Sequence, residues 1–125
     1  MTVREAIALV DKLKPNQYEE EIKAGWLREV DCTVHEDLIK THEPLEGEGD
    51  AFDPAGYAEP DHELLIPPPF TDVYIHYLET QIDLNNAELG KYANSMALYN
   101  AAYTNYSAWY TRRHMPKRRV KSLRL

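Results

Sequence analysis

Tyr92, Met96, Tyr99, Tyr103, Tyr106 and Tyr110 follow one another at spacings of 4, 3, 4, 3 and 4 residues. A β-strand cannot place such a series on one face, because its side chains alternate with a period of two; an α-helix lines all six along one side. The stretch ending near Arg113 therefore predicts a single helix about 35 Å long at 1.5 Å per residue. Ala97, Ala101, Ala102 and Ala108 are small enough to let a neighbouring helix approach, and Leu89, Ala93 and Leu98 widen the apolar face. A tyrosine buries a large ring yet keeps a hydroxyl that needs a partner or water, so the seam suits packing at a partly wet boundary such as a subunit interface. A ladder for stacking nucleobases would use the same side chains. A continuous helical stripe is the mark of burial rather than of ligand binding.

The rest of the chain predicts the neighbours this helix needs, and together they make an all-α bundle of about four helices. Thr2 and Glu5 form a T-x-x-E capping box ahead of apolar Val3, Ala6, Ile7, Leu9, Val10 and Leu13, which predicts a helix over 3–14. Pro15 stops it. Asn16 with Glu19 offers the next cap, and Tyr18, Ile22, Trp26, Val30, Val34 and Leu38 recur every four residues, predicting a second helix to about Lys40. Gly25 and the Asp31-Cys32-Thr33 stretch are weak helix formers at which it can bend.

Residues 41–63 carry eight acids, three prolines and three glycines, a composition that predicts a long acidic loop tied down only by Phe52 and Tyr57. "LLIPPPF" enters next as an extended segment, with a short strand at 64–66. Thr71 caps a third helix with apolar Val73, Tyr74, Tyr77, Leu78, Ile82 and Leu84, ending near Asn85-Asn86, where one asparagine terminates it and the other caps the fourth. The expected organisation is one helical domain over 1–113 and a basic tail over 114–125.

Charge is unevenly placed along this frame. Residues 1–88 hold all 21 Asp and Glu against 6 Lys and Arg, whereas 89–125 hold 8 Lys and Arg and no acid. Such asymmetry points to a basic end that meets an acidic partner, nucleic acid or protein, unless the end is merely a solvated terminus. No window approaches the roughly 18 apolar residues of a membrane span, and charges interrupt the first dozen residues as no secretory signal allows. With Cys32 the only cysteine, a soluble protein in a reducing cytoplasm is expected.

Signals for chemistry are few. Cys32, His35 and His42 have ligand-type side chains but lack the second Cys/His pair of a zinc site, and "HEDLI" lacks the second histidine of H-E-x-x-H. Nothing around Cys32 marks an activated nucleophile, the carboxylates crowd a loop that cannot hold two at fixed separation, and no glycine-rich phosphate loop occurs. The expectation is a protein without enzymatic activity, catalytic residues, metal or cofactor.

From Leu64 onward, "LLIPPPFTDVYIHYLETQIDLNNAELGKYANSMALYNAAYTNYSAWYTRRHMP" resembles the proline-led, two-helix C-terminal half of head-tail connector proteins, the adaptor or head-completion proteins of tailed bacteriophages and prophages. "TVREAIALVDKLKPNQYEEEIKAGWLREVD" is similar to their opening helices, so only the acidic loop falls outside the resemblance. The resemblance implies a structural virion protein of the neck, assembled in the host cytoplasm, about twelve copies of which ring the DNA channel between the portal protein and a tail-side neck or stopper protein. It also implies that the tail docks on the portal, which on this chain is Lys117, Arg118, Arg119, Val120, Lys121, Leu123, Arg124 and Leu125. Apolar Val120, Leu123 and Leu125 would seat on the partner while the basic residues meet its acids. DNA would pass without sequence-specific contact, and acids facing the channel would repel its phosphates. The competing class is a small helical interaction or nucleic-acid-binding module that grips phosphates with the same tail.

Overall fold

A computed structural model of the chain describes residues 1–49 and 52–117. It is all-α: α1 spans Val3–Leu13, α2 Glu20–Val34, α3 Asp72–Asn85 and α4 Leu89–Arg113, with a π-helical turn at His35–Ile39 and a 3-10 turn at Pro54–Ala58. α3 is the central element, packing against α4, α2 and α1, while α4 also touches the π-helical turn. Among the described residues no strand forms, and the extended segment after the acidic stretch contributes only an isolated bridge between Thr2 and Glu63. The expected strand at 64–66 is therefore absent. Leu64 and Ile66 are buried under the helices, and the prolines that follow leave no amides to extend a ladder.

Local chemistry explains most helix ends. The capping box is closed in both directions, since the Glu5 amide donates to Thr2 Oγ1 at 3.2 Å and the Thr2 amide to Glu5 Oε1 at 2.9 Å. Asn16 does not cap α2. Its Oδ1 accepts the Tyr18 amide at 3.1 Å and the buried Lys23 ammonium at 3.2 Å, while its Nδ2 donates to Asp11 Oδ1 at 2.9 Å, locking the α1–α2 corner instead. Thr71 stands at the N-cap of α3 without a side-chain hydrogen bond, because the turn over Pro67–Phe70 already orders the first amides.

Neither asparagine caps α4. Its N-cap is Glu88, and α3 ends with the Glu88 amide on Asp83 O at 2.9 Å and the Ala87 amide on Leu84 O at 3.0 Å. This is the Schellman arrangement, and Ala87 holds its left-handed position at φ 58° where glycine is usual. A Cβ in that region strains the backbone by about 1–2 kcal/mol, partly offset by the larger chain entropy of unfolded glycine. Ala87→Gly is therefore expected to stabilise the protein by about 0.5–1 kcal/mol, read as a higher denaturant midpoint at unchanged slope.

The core is a mixture of apolar side chains and buried polar ones. Val3, Ile7 and Val10 of α1, Leu27, Val30 and Val34 of α2, and Val73, Leu78 and Ile82 of α3 interlock with Leu38, Leu64 and Ile66. Asp31, at 0% exposure, lies among them. Its Oδ2 accepts the Tyr57 hydroxyl at 2.5 Å and the Leu65 amide at 3.1 Å, its Oδ1 accepts the Tyr74 hydroxyl at 2.5 Å, and Tyr74 Oη in turn accepts the Ile66 amide at 2.7 Å. One carboxylate thus joins α2, the 3-10 turn, the extended segment and α3. Burial pushes its pKa up, against the lowering effect of those three donors.

Several residues expected in apolar faces point outward. Leu9, Leu13, Ile22, Leu84, Leu89 and Leu98 are exposed, whereas Lys23, Thr80 and Asp83 are buried. In α2 a strict four-residue repeat drifts around a helix of 3.6 residues per turn, so Leu27 and Asp31, not Ile22 and Trp26, complete its inner face.

Candidate functional site

α4 divides the predicted seam along its length. Tyr106 and Tyr110 are buried, while Tyr92, Met96, Tyr99 and Tyr103 are half-buried. The seam packs in part on its own chain. Tyr99 meets Tyr77 of α3 at 5.1 Å between centroids, Tyr106 meets Phe70 at 5.6 Å, and Trp109 meets Phe70 at 5.0 Å. Burial and then the Glu29 carboxylate push the Tyr77 phenol up to about 12. Burial and then Asp37 raise Tyr99 and Tyr103 in the same direction. These phenols stay protonated across the neutral range.

Of the α4 alanines Ala102 is half-buried against the core, and the others lie elsewhere on the helix. Ala93, Ala97, Ala101 and Ala108 are exposed with Leu89 and Leu98, so the wide apolar face expected around the tyrosines is two faces, one on α3 and one on solvent. All 25 residues of α4 are free of acid, and its last turn carries Arg112 and Arg113, the latter 4.7 Å over the Trp109 ring.

Beyond α4 the chain does not simply leave the domain. His42 and Pro116 form an antiparallel bridge, with the Glu43 amide on Met115 O at 2.6 Å and the Lys117 amide on Thr41 O at 2.9 Å. Buried His114 locks this clasp. Its ring stacks on Tyr110 at 3.8 Å and an interplanar angle of 5°, its Nδ1 faces Tyr110 O at 2.9 Å, and its Nε2 faces Glu48 Oε1 at 2.9 Å. Partial burial disfavours the Glu48 carboxylate, yet the Leu45 amide and His114 outweigh it and hold its pKa below the usual range. His42 closes the other side, edge-on to Tyr110 at 5.5 Å with Nδ1 on Leu38 O at 2.9 Å. Residues 114–117 are thus ordered as part of the domain, and Lys117 is the one predicted docking residue that is described. Arg118, Arg119, Val120, Lys121, Leu123, Arg124 and Leu125 lie outside the described residues.

The candidate ligand-type residues take separate places. His42 belongs to the clasp, His35 stacks on Phe52 at 4.9 Å, and Cys32 is a half-buried free thiol. Among the described residues no three His, Cys, Asp or Glu side chains converge in a way that would hold a metal ion, and no helix is long and apolar enough to cross a membrane. No sequence signal marks the clasp, because His42 and His114 are 72 positions apart and no periodicity joins a loop to a helix end.

No protein-family model, curated protein or solved structure matches this chain.

Proposed function

We propose that the chain is a structural subunit of the neck of a tailed bacteriophage, a connector whose copies ring the DNA channel between the portal protein and a tail-side neck or stopper protein. The observation that carries this reading is the segregation of charge within one helical body. α4 has no carboxylate and ends in Arg112 and Arg113, while α1, α2 and the segment after them carry most of the acids. Opposite charge on different faces of one chain favours head-to-tail contacts and fixes their order.

The clasp suits the portal-docking role. It anchors residues 114–117 to the domain, so the nine-residue sequence from Lys117 to Leu125 departs from a fixed point on each subunit. Holding the base of a docking segment lowers the entropy lost when it binds.

The test is co-purification with the portal ring of the same phage or prophage. The full chain is expected to be retained and a variant lacking residues 117–125 to be lost from the complex. Equal retention of both removes the tail from the docking role, and no retention of either removes the connector reading. Duplex affinity that falls with salt at a log-log slope of about −0.9 per phosphate contact would instead favour a nucleic-acid-binding module.

A further inference from the structure

A groove of about 900 Å³ runs between α1 and α2 and is bounded by the 3-10 turn. Ile7, Ala24 and Tyr57 line it with apolar surface, and Ala8 and Gly25 keep it open. Gly25 has no explanation within the chain itself. It sits inside α2, where glycine costs about 0.8–1 kcal/mol relative to alanine, yet a Cβ built there meets nothing within 4 Å. A glycine that no intramolecular contact requires, facing a groove with an apolar floor and charged edges, fits the close approach of something from outside.

We propose that the occupant is the outward flank of α4 from a second copy of this chain. That flank presents Leu89, Ala97, Ala101 and Ala108 to solvent and leads to exposed Arg112. Its small side chains allow helix-to-helix approach over Gly25. Charge decides the direction. At the groove's edge Asp11 is paired with Lys23 at 2.7 Å and Arg4 with Asp61 at 3.1 Å, leaving Glu20 and Glu21 to outnumber Arg28. α4 brings no carboxylate to repel Glu20 and Glu21 and offers Arg112 to meet them.

The flank cannot fill its own groove, because α4 packs mainly against α3 while the groove lies between α1 and α2. Two copies can bring groove and flank together, in a head-to-tail contact that repeats from subunit to subunit. This assignment rests on the ring reading and names the two faces that build the ring.

Two substitutions outside the core test it. Gly25→Leu fills the groove while favouring the helix, and Ala97→Glu places a charge on the flank; Ala8→Leu and Ala101→Glu serve if either fails to fold. By sedimentation at rising concentration, wild type is expected to reach a closed oligomer, and each variant alone to associate at least tenfold more weakly at unchanged or higher thermal stability. Mixed together, the two variants retain one intact groove and one intact flank, and a particle of twice the 14.5 kDa chain mass is expected. Closed oligomers from both variants would overturn this assignment and leave the ring standing. A wild type that stays monomeric to about 1 mM, or stops at a symmetric pair, would overturn the ring along with it.

Discussion

Replacing Asp31 with alanine is expected to lower the unfolding free energy by about 3–5 kcal/mol. The substitution removes the acceptor for the Tyr57 and Tyr74 hydroxyls and the Leu65 amide at once. Each unsatisfied buried donor costs about 1–3 kcal/mol. Tyr74 keeps one contact, as acceptor of the Ile66 amide, so the 3-10 turn around Tyr57 is the part expected to loosen first. Urea unfolding would read the loss as a lower midpoint, and faster amide exchange at Glu59 would place it at the turn; a shift below 1 kcal/mol would show that Asp31 is not the hub.

Asp31→Asn removes the charge while keeping one of the two acceptor oxygens. Burial raises the Asp31 pKa in the folded protein above the ordinary carboxylate value of 3.8, so the folded state holds that proton more tightly than the unfolded chain does. The resulting stability is fully present below the unfolded pKa and is lost as pH rises through the folded one. Asparagine does not titrate. The stability of wild type relative to Asp31→Asn is therefore expected to fall as pH rises from below 3.8 through the raised pKa, and a difference that stays flat or rises over that window would show that the three donors outweigh burial.

The same residue shows where a sequence yields its fold and where it withholds it. All four helices are legible from hydrophobic spacing and from local stops such as Thr2, Pro15 and the prolines ahead of Thr71, because these act over one or two turns. Asp31 shows in the sequence as a weak helix former. Its register gave a better signal, since it lies four residues after Leu27, three before Val34 and seven before Leu38, an acid set into the inner face of α2. Its partners Tyr57 and Tyr74 lie 26 and 43 residues away, and only the tertiary fold brings them together. The α4 seam is legible as a helix face. Which of its residues meet α3 and which meet solvent depends on how far α3 extends beside it, and that was not encoded in the spacing of the tyrosines.

Lys14→Ala is expected to destabilise the protein by about 3–5 kcal/mol, an effect large for a residue at the edge of a helix. Its ammonium reaches both oxygens of Asp83 at 2.7 Å, joining the end of α1 to the end of α3. Asp83 is 1% exposed, and its other side-chain contact is the Ser95 hydroxyl on α4 at 2.7 Å. Without Lys14 the carboxylate keeps one neutral donor in a largely buried site, and a poorly compensated buried charge is what makes such a loss severe. Removing the charge as well should restore much of the stability, because Asp83→Asn still accepts from Ser95. A double-mutant cycle over Lys14→Ala and Asp83→Asn is thus expected to give a coupling of about 1–3 kcal/mol. Strictly additive losses would mean that the ammonium acts through packing of its methylene stem alone. The corner matters for assembly too, since the Lys14–Asp83–Ser95 chain sets α4 against α3 and so fixes the angle at which the flank of α4 is offered to a neighbouring groove.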